Sequence, residues 1–496
     1  MIASNNQGKN AAGTITVDDF VTDEKVKACL DKLHATFGPP ENSTLLVSDV
    51  LDNEGHQYVN LVQKGGGVLG IALVGYTYIL EQMGIRFLRM AGTSAGAINT
   101  ALMTVIKTKP ETKSLTILKN ICDLNFFNLV DGHPFARWLI KNFITHKNFE
   151  TKVKNWLLLV VGIFIFLSAG NIVFLGLQHI YKPLAVITTL FFVLTGFYIL
   201  LLGSAGAYTA SLLTRLKNAG FGINPGDYLY DWIKARLAEN DVNTVSQLNA
   251  KAAGAIPGLH LREGFEQDMS DLVGDVTFIT SELVTQNKIE FPKMAPLFRE
   301  AADMDSLQPA GFIRASMSIP VFFESYFISH IPCESDNIKK EWLDVFNEPN
   351  PPSTARFVDG GILSNFPINI FYNADITVPR LPSFGIDLDD SRPEDKDNHV
   401  QSWSLFGYFG RMFNTIRNYY DKDFQLKNKV FSKGVGTIGL ADFNWLNFFL
   451  SDDDKKQMFI LGAQAATEFL MHFDWNDYKD TYTGMQVQLN KTKPSN

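Results

Sequence analysis

Apolar and polar positions follow different rules in different stretches of this chain. Residues 1–56 are mostly polar, with helical spacing only near Asp23–Phe37. From Gln57 the pattern sharpens. Tyr58–Gln63 is a short buried-strand run followed by Gly65–Gly67, and Val68–Met83 predicts a helix that stops at Gly84. Arg86–Met90 predicts a second strand. It runs into Gly92-Thr93-Ser94-Ala95-Gly96, after which Ala97–Lys107 predicts a helix. Strand, turn and helix thus occur twice in succession, the pattern of a parallel α/β sheet.

The middle of the chain changes character. Trp156–Leu177 and Leu184–Ala210 contain no charged residue. Each exceeds the roughly 20 apolar residues needed to cross a hydrocarbon layer of about 30 Å. Only His179-Ile180-Tyr181-Lys182-Pro183 and its neighbours join them, so they predict a tight transmembrane hairpin, the alternative being two buried core helices. Lys141, Lys147, Lys152 and Lys154 precede the hairpin, Arg215 and Lys217 follow it, and Lys182 alone lies in the connector. Positively charged flanks stay in the cytoplasm, so a multi-pass membrane protein with both α/β halves facing the cytoplasm is expected. Beyond it, Asp227–Ala238 predicts a helix. Val276–Thr285, Thr354–Asp359 and Phe384–Leu388 predict strands, and helical patterns return near Leu405–Tyr420 and Asp454–His472.

Composition narrows the class. The chain has 496 residues, 46% apolar and only 19% charged, so it is not a disordered chain. Its 44 basic and 52 acidic residues give a net charge of −8, which argues against nucleic acid as a partner. Cys29, Cys122 and Cys333 are scattered and odd in number, which supports neither a disulfide framework nor a zinc site. The polar N-terminus lacks the apolar core of a signal peptide.

Three segments carry candidate chemistry. Gly92–Gly96 is a G-x-S-x-G turn between a strand and a helix. There a serine is exposed on a sharp bend that only small neighbours permit, so Ser94 is the candidate nucleophile. Gly65-Gly66-Gly67-Val68-Leu69-Gly70 fits a dinucleotide fingerprint on spacing. The acidic residue expected about 20 positions on is missing from Ile85–Met90, and no Lys-Ser or Lys-Thr ends the run as in a P-loop. The better reading is an oxyanion hole made from the backbone N–H groups of Gly65, Gly66 and Gly67. In the third segment, Asp359 leaves a strand directly into Gly360 and Gly361. By itself that is equally an ordinary Asp-Gly turn. No histidine sits in a setting that suggests a triad: His133 is in a turn, His179 in the connector, and His330, His399 and His472 at loops or helix ends. A Ser94–Asp359 dyad is the sharper expectation.

Taken in order, Gly65–Gly70, Gly92–Gly96 and Asp359-Gly360-Gly361 resemble the patatin-like phospholipase family. Ile313–Phe323 and Phe357–Ile368 are similar to its flanking segments. The resemblance covers about residues 57–150 and 215–470. It departs at Leu69, where many members carry Lys or Arg, and in the inserted hairpin. It implies an α/β fold: a patatin-like three-layer α/β/α hydrolase domain, here with an inserted two-helix transmembrane hairpin. It also implies a lipid acyl hydrolase cleaving phospholipid or glyceride esters through an acyl-enzyme, with Ser94 as nucleophile, Asp359 as general base and Gly65–Gly67 as oxyanion hole. No cofactor or metal is required. The acidic run Asp387–Asp397 lacks the spacing of an EF-hand. The expected partners are a membrane lipid substrate and the lipid bilayer. A catalytically inactive, membrane-anchored scaffold is the alternative. The expected organisation is an extension (1–56), a catalytic domain in two parts (57–150 and 215–470), the hairpin (151–214) and a C-terminal tail (471–496).

Overall fold

The computed structural model describes residues 15–134, 149–218, 220–262, 269–391 and 421–492, together with Arg137, Met412, Thr415 and Tyr419. Lys141, Lys147 and most of the helix expected over 405–420 lie outside these residues. The described chain divides into two compact units. The larger comprises residues 1–130, 226–320 and 325–496, and the smaller comprises 131–225 with 321–324.

The larger unit is built on one mixed sheet. Its main strands are β1 (Gln57–Gln63), β2 (Ile85–Thr93), β3 (Asp275–Glu282), β4 (Asn287–Phe291), β5 (Tyr326–Ser329), β6 (Thr354–Asp359), β7 (Ser383–Asp389) and β8 (Val435–Gly439). Across the sheet they run β8-β7-β1-β2-β3-β6-β5, with β4 paired to β3. The first five in that order are parallel, whereas β6 and β5 pair antiparallel. Every residue of β1 is buried, its Gln57, Asn60 and Gln63 included. That is the signature of a parallel strand covered on both faces. The polar residues survive burial through partners: Gln63 Nε2 donates to Thr100 Oγ1 at 2.9 Å, and Asn99 Nδ2 donates to Gln63 Oε1 at 2.5 Å.

Among the helices of this unit are α1 (Glu24–Phe37), α2 (Gly70–Gln82), α3 (Ala95–Val105), α6 (Asp227–Ala238), α7 (Pro309–Ser316), α8 (Asp452–His472) and α9 (Trp475–Thr492). Within the described residues of this unit the elements expected from sequence are present, several with ends moved by one to three residues. β2 is longer than expected, running through Gly92 to Thr93 because those residues still pair with Gln63 on one side and Ile279 on the other.

Both chain ends pack into the larger unit. The region set apart as an extension carries α1, whose N-terminus is capped by the Asp23 side chain accepting from the Lys25 N–H at 2.9 Å. Val26, Cys29 and Leu33 recur at helical spacing and are buried, and the Phe20 ring meets Phe459 of α8 edge-on at 5.4 Å. The expected C-terminal tail forms α9, which buries Trp475, Tyr478 and Tyr482 in a core shared with β1 and β2. Both segments belong to the larger unit.

The smaller unit contains α4 (Phe149–Leu177) and α5 (Leu184–Asn218), antiparallel partners across the expected connector. Their contact is aromatic and polar. Phe191 lies between Phe166 and Phe174 at 6.0 and 5.1 Å, Asn171 Nδ2 donates to Thr195 Oγ1 at 2.5 Å, and Tyr198 Oη donates to the Val160 carbonyl at 2.7 Å. Lys154–Leu177 and Leu184–Leu212 have mean hydropathies of 2.6 and 2.4. Apart from the face each turns to its partner, their side chains are exposed, among them Trp156, Phe166, Ile172, Phe197 and Leu200. Such exposure differs from that of a soluble protein's core helix. In this unit Gly222–Asn224 also pairs parallel with Val321–Phe323.

Candidate active site

The sheet register brings two distant residues to one place. Thr93, at the end of β2, pairs with Ile279 of β3, and the next β3 residue, Thr280, pairs with Asp359 at the end of β6. Ser94, which follows Thr93, and Asp359 therefore flank the same point of β3. The Ser94 hydroxyl donates to Asp359 Oδ2 at 2.6 Å, and both residues are almost wholly buried. The Met317 sulfur lies 3.2 Å from the same hydroxyl.

Ser94 sits at φ 54° and ψ −123°, a region non-glycine residues rarely occupy and that costs about 1–3 kcal/mol. The surroundings hold it there. The Ser94 N–H donates to Ser316 Oγ at 2.9 Å, and that hydroxyl donates to the Ile279 carbonyl at 2.5 Å. Gly92 and Gly96 make the bend sterically possible: a Cβ on Gly92 would fall 2.3 Å from the Gly96 carbonyl oxygen, and one on Gly96 would fall 2.3 Å from that of Gln63. Helix α3 begins immediately after Ser94, so the positive end of its dipole lies at the serine.

Asp359 is oriented by the glycines after it. The Gly361 N–H donates to Asp359 Oδ1 at 2.7 Å, which leaves Oδ2 for the serine. Gly360 abuts β3, its α-carbon facing the Ile279 carbonyl. A backbone donor on a carboxylate favours the ionised form.

The glycine loop adjoins the serine. A Cβ on Gly65 would fall 2.9 Å from Ser94 Cβ and 2.5 Å from Asn365 Oδ1, so no larger residue fits without displacing one of them. The Gly65 N–H donates to the Asn365 carbonyl at 3.0 Å, and Asn365 Nδ2 donates to the Gly65 carbonyl at 3.2 Å. The Gly65 N–H is thus engaged by Asn365, and Gly66 and Gly67 are the remaining candidate donors of the expected Gly65–Gly67 set. Gly67, at φ 55°, packs against the Trp445 backbone, and Val68 N–H donates to the Trp445 carbonyl at 3.1 Å. Gly70 opens α2 against Ala95. Leu69 is buried.

A narrow apolar cleft with about 60 Å³ of free volume, partly open to solvent, is lined by Gly67, Ala95 and Met317 around the serine and by Ile98, Leu102, Ile121 and Trp232. Its lining is almost free of polar groups. Among the described residues no cluster of His, Cys, Asp or Glu has the arrangement of a metal site. Sequence reasoning had given Ser316, Met317, Asn365 and Trp445 no role. Ser316 and Met317 lie in Ile313–Phe323 and Asn365 in Phe357–Ile368, the two segments similar to the family's, whereas Trp445 had no such signal.

A family model described as patatin-like phospholipase matches residues 61–372, a span that contains the glycine loop, Ser94 and Asp359. The chain belongs to the patatin-like phospholipase family. Membership supports lipid hydrolysis as its class of activity. Among relatives of this patatin-like chain, the uncharacterized protein YqhO of Bacillus subtilis (strain 168) is 23% identical over 418 residues, covering 84% of this chain and all of the relative. Two solved structures are similar at 14% identity. VipD from Legionella pneumophila aligns over 89% of this chain and 73% of its own, with a TM-score of 0.34. ExoU, in the ExoU–SpcU complex of the Pseudomonas aeruginosa type III secretion system, aligns over 85% of this chain and 52% of its own, with a TM-score of 0.28.

Proposed function

We propose that this patatin-like phospholipase is a membrane-anchored serine lipid acyl hydrolase working through a Ser94–Asp359 dyad. The observation that carries the reading is the 2.6 Å hydrogen bond from the Ser94 hydroxyl to Asp359 Oδ2. In the first half-reaction Ser94 Oγ attacks the ester carbonyl carbon while its proton passes to Asp359. The tetrahedral oxyanion is held by the N–H groups of Gly66 and Gly67 and by the N-terminal end of α3. Donors of this kind are each worth about 10²–10³ in rate. Collapse breaks the bond to the leaving alcohol, which takes the proton from Asp359 and departs, leaving an acyl-serine. In the second half-reaction Asp359 takes a proton from water as the water attacks. The fatty acid leaves and Ser94 recovers its proton.

The apolar cleft suits the acyl chain, since each buried methylene contributes about 0.8 kcal/mol. The substrate class in this reading is a carboxylic ester of a phospholipid or glyceride. At 1.5 Å per residue, the 24 residues Lys154–Leu177 reach about 36 Å, enough to cross a bilayer. Together with Leu184–Leu212 they form a hairpin that keeps the enzyme on the membrane where its substrate resides. The single lysine in the connector, against six basic residues on the flanks, supports a cytoplasmic location for the catalytic unit.

The test uses detergent-purified full-length protein with phospholipid, diglyceride or triglyceride, and short-chain ester. Wild type is expected to release fatty acid, with Ser94→Ala and Asp359→Asn inactive. Equal turnover by Ser94→Ala would contradict the reading. An inert wild type would favour a scaffold.

A further inference from the structure

Asp421 lies beyond the family match, at the start of the described segment 421–492. It is buried, and its carboxylate makes three contacts with one short loop. Asp421 Oδ1 accepts from Ser364 Oγ at 2.8 Å, and Oδ2 accepts from the Asn365 and Phe366 N–H groups, each at 2.8 Å. A carboxylate withdrawn from water is costly unless such donors surround it. Burial pushes its carboxyl above the usual range. The Phe366, Ser364 and Asn365 hydrogen bonds and the charge of Lys64 oppose that shift.

The loop gripped by Asp421 joins the parts of the candidate active site. It follows Asp359 by five to seven residues. The Ser364 carbonyl accepts from Thr93 Oγ1 at 3.0 Å, which ties it to the residue before the serine. Asn365 holds both polar groups of Gly65: its carbonyl accepts the Gly65 N–H, and its Nδ2 donates to the Gly65 carbonyl. The second contact matters for chemistry. The Gly65 carbonyl and the Gly66 N–H belong to one planar trans peptide and point in opposite directions. Fixing the carbonyl therefore fixes the aim of the Gly66 N–H.

We propose that Asp421 is a positioning residue for the oxyanion site, holding Asn365 so that the Gly65–Gly66 peptide presents its N–H to the developing charge. The inference rests on the proposed reading of Ser94 and the glycine loop. Asp421 touches no reacting atom and acts through Asn365. An asparagine in its place retains the function, since its single oxygen accepts both backbone N–H groups and its amide donates to Ser364 Oγ.

The experiment compares full-length wild type, Asp421→Ala, Asp421→Asn, Asn365→Asp and Ser94→Ala in detergent. Active sites are counted by exhaustive fluorophosphonate titration. Asp421→Ala and Asn365→Asp are expected to lose about 10²–10³ in kcat per titrated site, the range for one misplaced oxyanion donor. Both are expected to lose affinity for a trifluoromethyl ketone, which forms an oxyanion adduct, by a similar factor while binding fatty-acid product as wild type does. Asp421→Asn is expected to stay within about fivefold of wild type, against that same 10²–10³ scale. Asn365→Asp keeps the fold's backbone contacts and carries the test if Asp421→Ala does not fold. Wild-type turnover per site and unchanged ketone affinity in the Asn365→Asp or Asp421→Ala protein, with Ser94→Ala inactive, would overturn the positioning role alone. Activity in Ser94→Ala would overturn the site reading and this inference with it.

Discussion

Ser316 stands between Ser94 and the central strand: its hydroxyl accepts the Ser94 N–H at 2.9 Å and donates to the Ile279 carbonyl at 2.5 Å. One small side chain thus pins a strained residue to β3. Ser316→Ala leaves a buried donor and a buried acceptor without that partner, a loss of about 1–3 kcal/mol. We expect a lower denaturation midpoint and a roughly tenfold fall in kcat, equivalent to about 1.4 kcal/mol. Chemical unfolding and turnover on the same preparation check both. An unchanged midpoint would show that the elbow is held by other contacts.

The cleft predicts a chain-length preference. Leu102 lies seven residues along α3 from Ala95, or about 10 Å. Leu102→Trp is expected to block the cleft beyond that distance. It should cut kcat/KM for long-chain p-nitrophenyl esters at least tenfold, about 1.4 kcal/mol of lost binding, while acetate and butyrate esters stay near wild type. An equal loss on all chain lengths would place the acyl chain elsewhere.

Lys113 predicts a pH dependence of stability. Its ammonium is buried and donates to the Met103 carbonyl at 2.7 Å. Burial, reinforced by repulsion from Lys109, pushes it down from 10.5 to about 7. Between those values the unfolded chain holds a proton that the folded chain has released, so stability rises with pH. The cost of burying the charge is fully present below pH 7 and fades towards 10.5. Relative to Lys113→Met, wild type should gain stability steadily from pH 7 to 10, at up to about 1.4 kcal/mol per pH unit. Unfolding curves at several pH values test the slope. A constant difference would mean that Lys113 stays charged in the folded protein.

For the hairpin, full-length protein is expected in the membrane pellet after washes at high salt and alkaline pH, and in the supernatant only with detergent. Deleting residues 156–210 removes both apolar spans and leaves the larger unit intact in sequence. The deleted protein should be soluble and should still hydrolyse a short-chain ester. Full-length protein that stays soluble without detergent would contradict the anchoring role.

The Ser94–Asp359 hydrogen bond joins two residues that the sequence had singled out, Ser94 by the small residues around it and Asp359 by its place before two glycines in an ordered set of motifs. The α/β order was legible through strand, turn and helix periods around those motifs. Ser316 and Asn365 were not, because the first acts on a serine 222 residues away and the second on a glycine 300 residues away. Sequence spacing carries no trace of such pairings. Trp475, Tyr478 and Tyr482 lie on one face of α9, separated in the sequence by the polar Asn476, Asp477, Lys479 and Asp480. Val26, Cys29 and Leu33 are spaced in the same way among the charges of α1, over the helix expected at Asp23–Phe37.

The central claim is that Ser94 attacks while Asp359 takes its proton. The most direct measurement is the rate of fluorophosphonate labelling, with the modified residue mapped by mass spectrometry, in wild type and Asp359→Asn. The account predicts a single adduct on Ser94, formed about 10²–10⁴ times more slowly in the variant, the range for losing a general base. An adduct on another residue, or equal labelling rates in the two proteins, would contradict it.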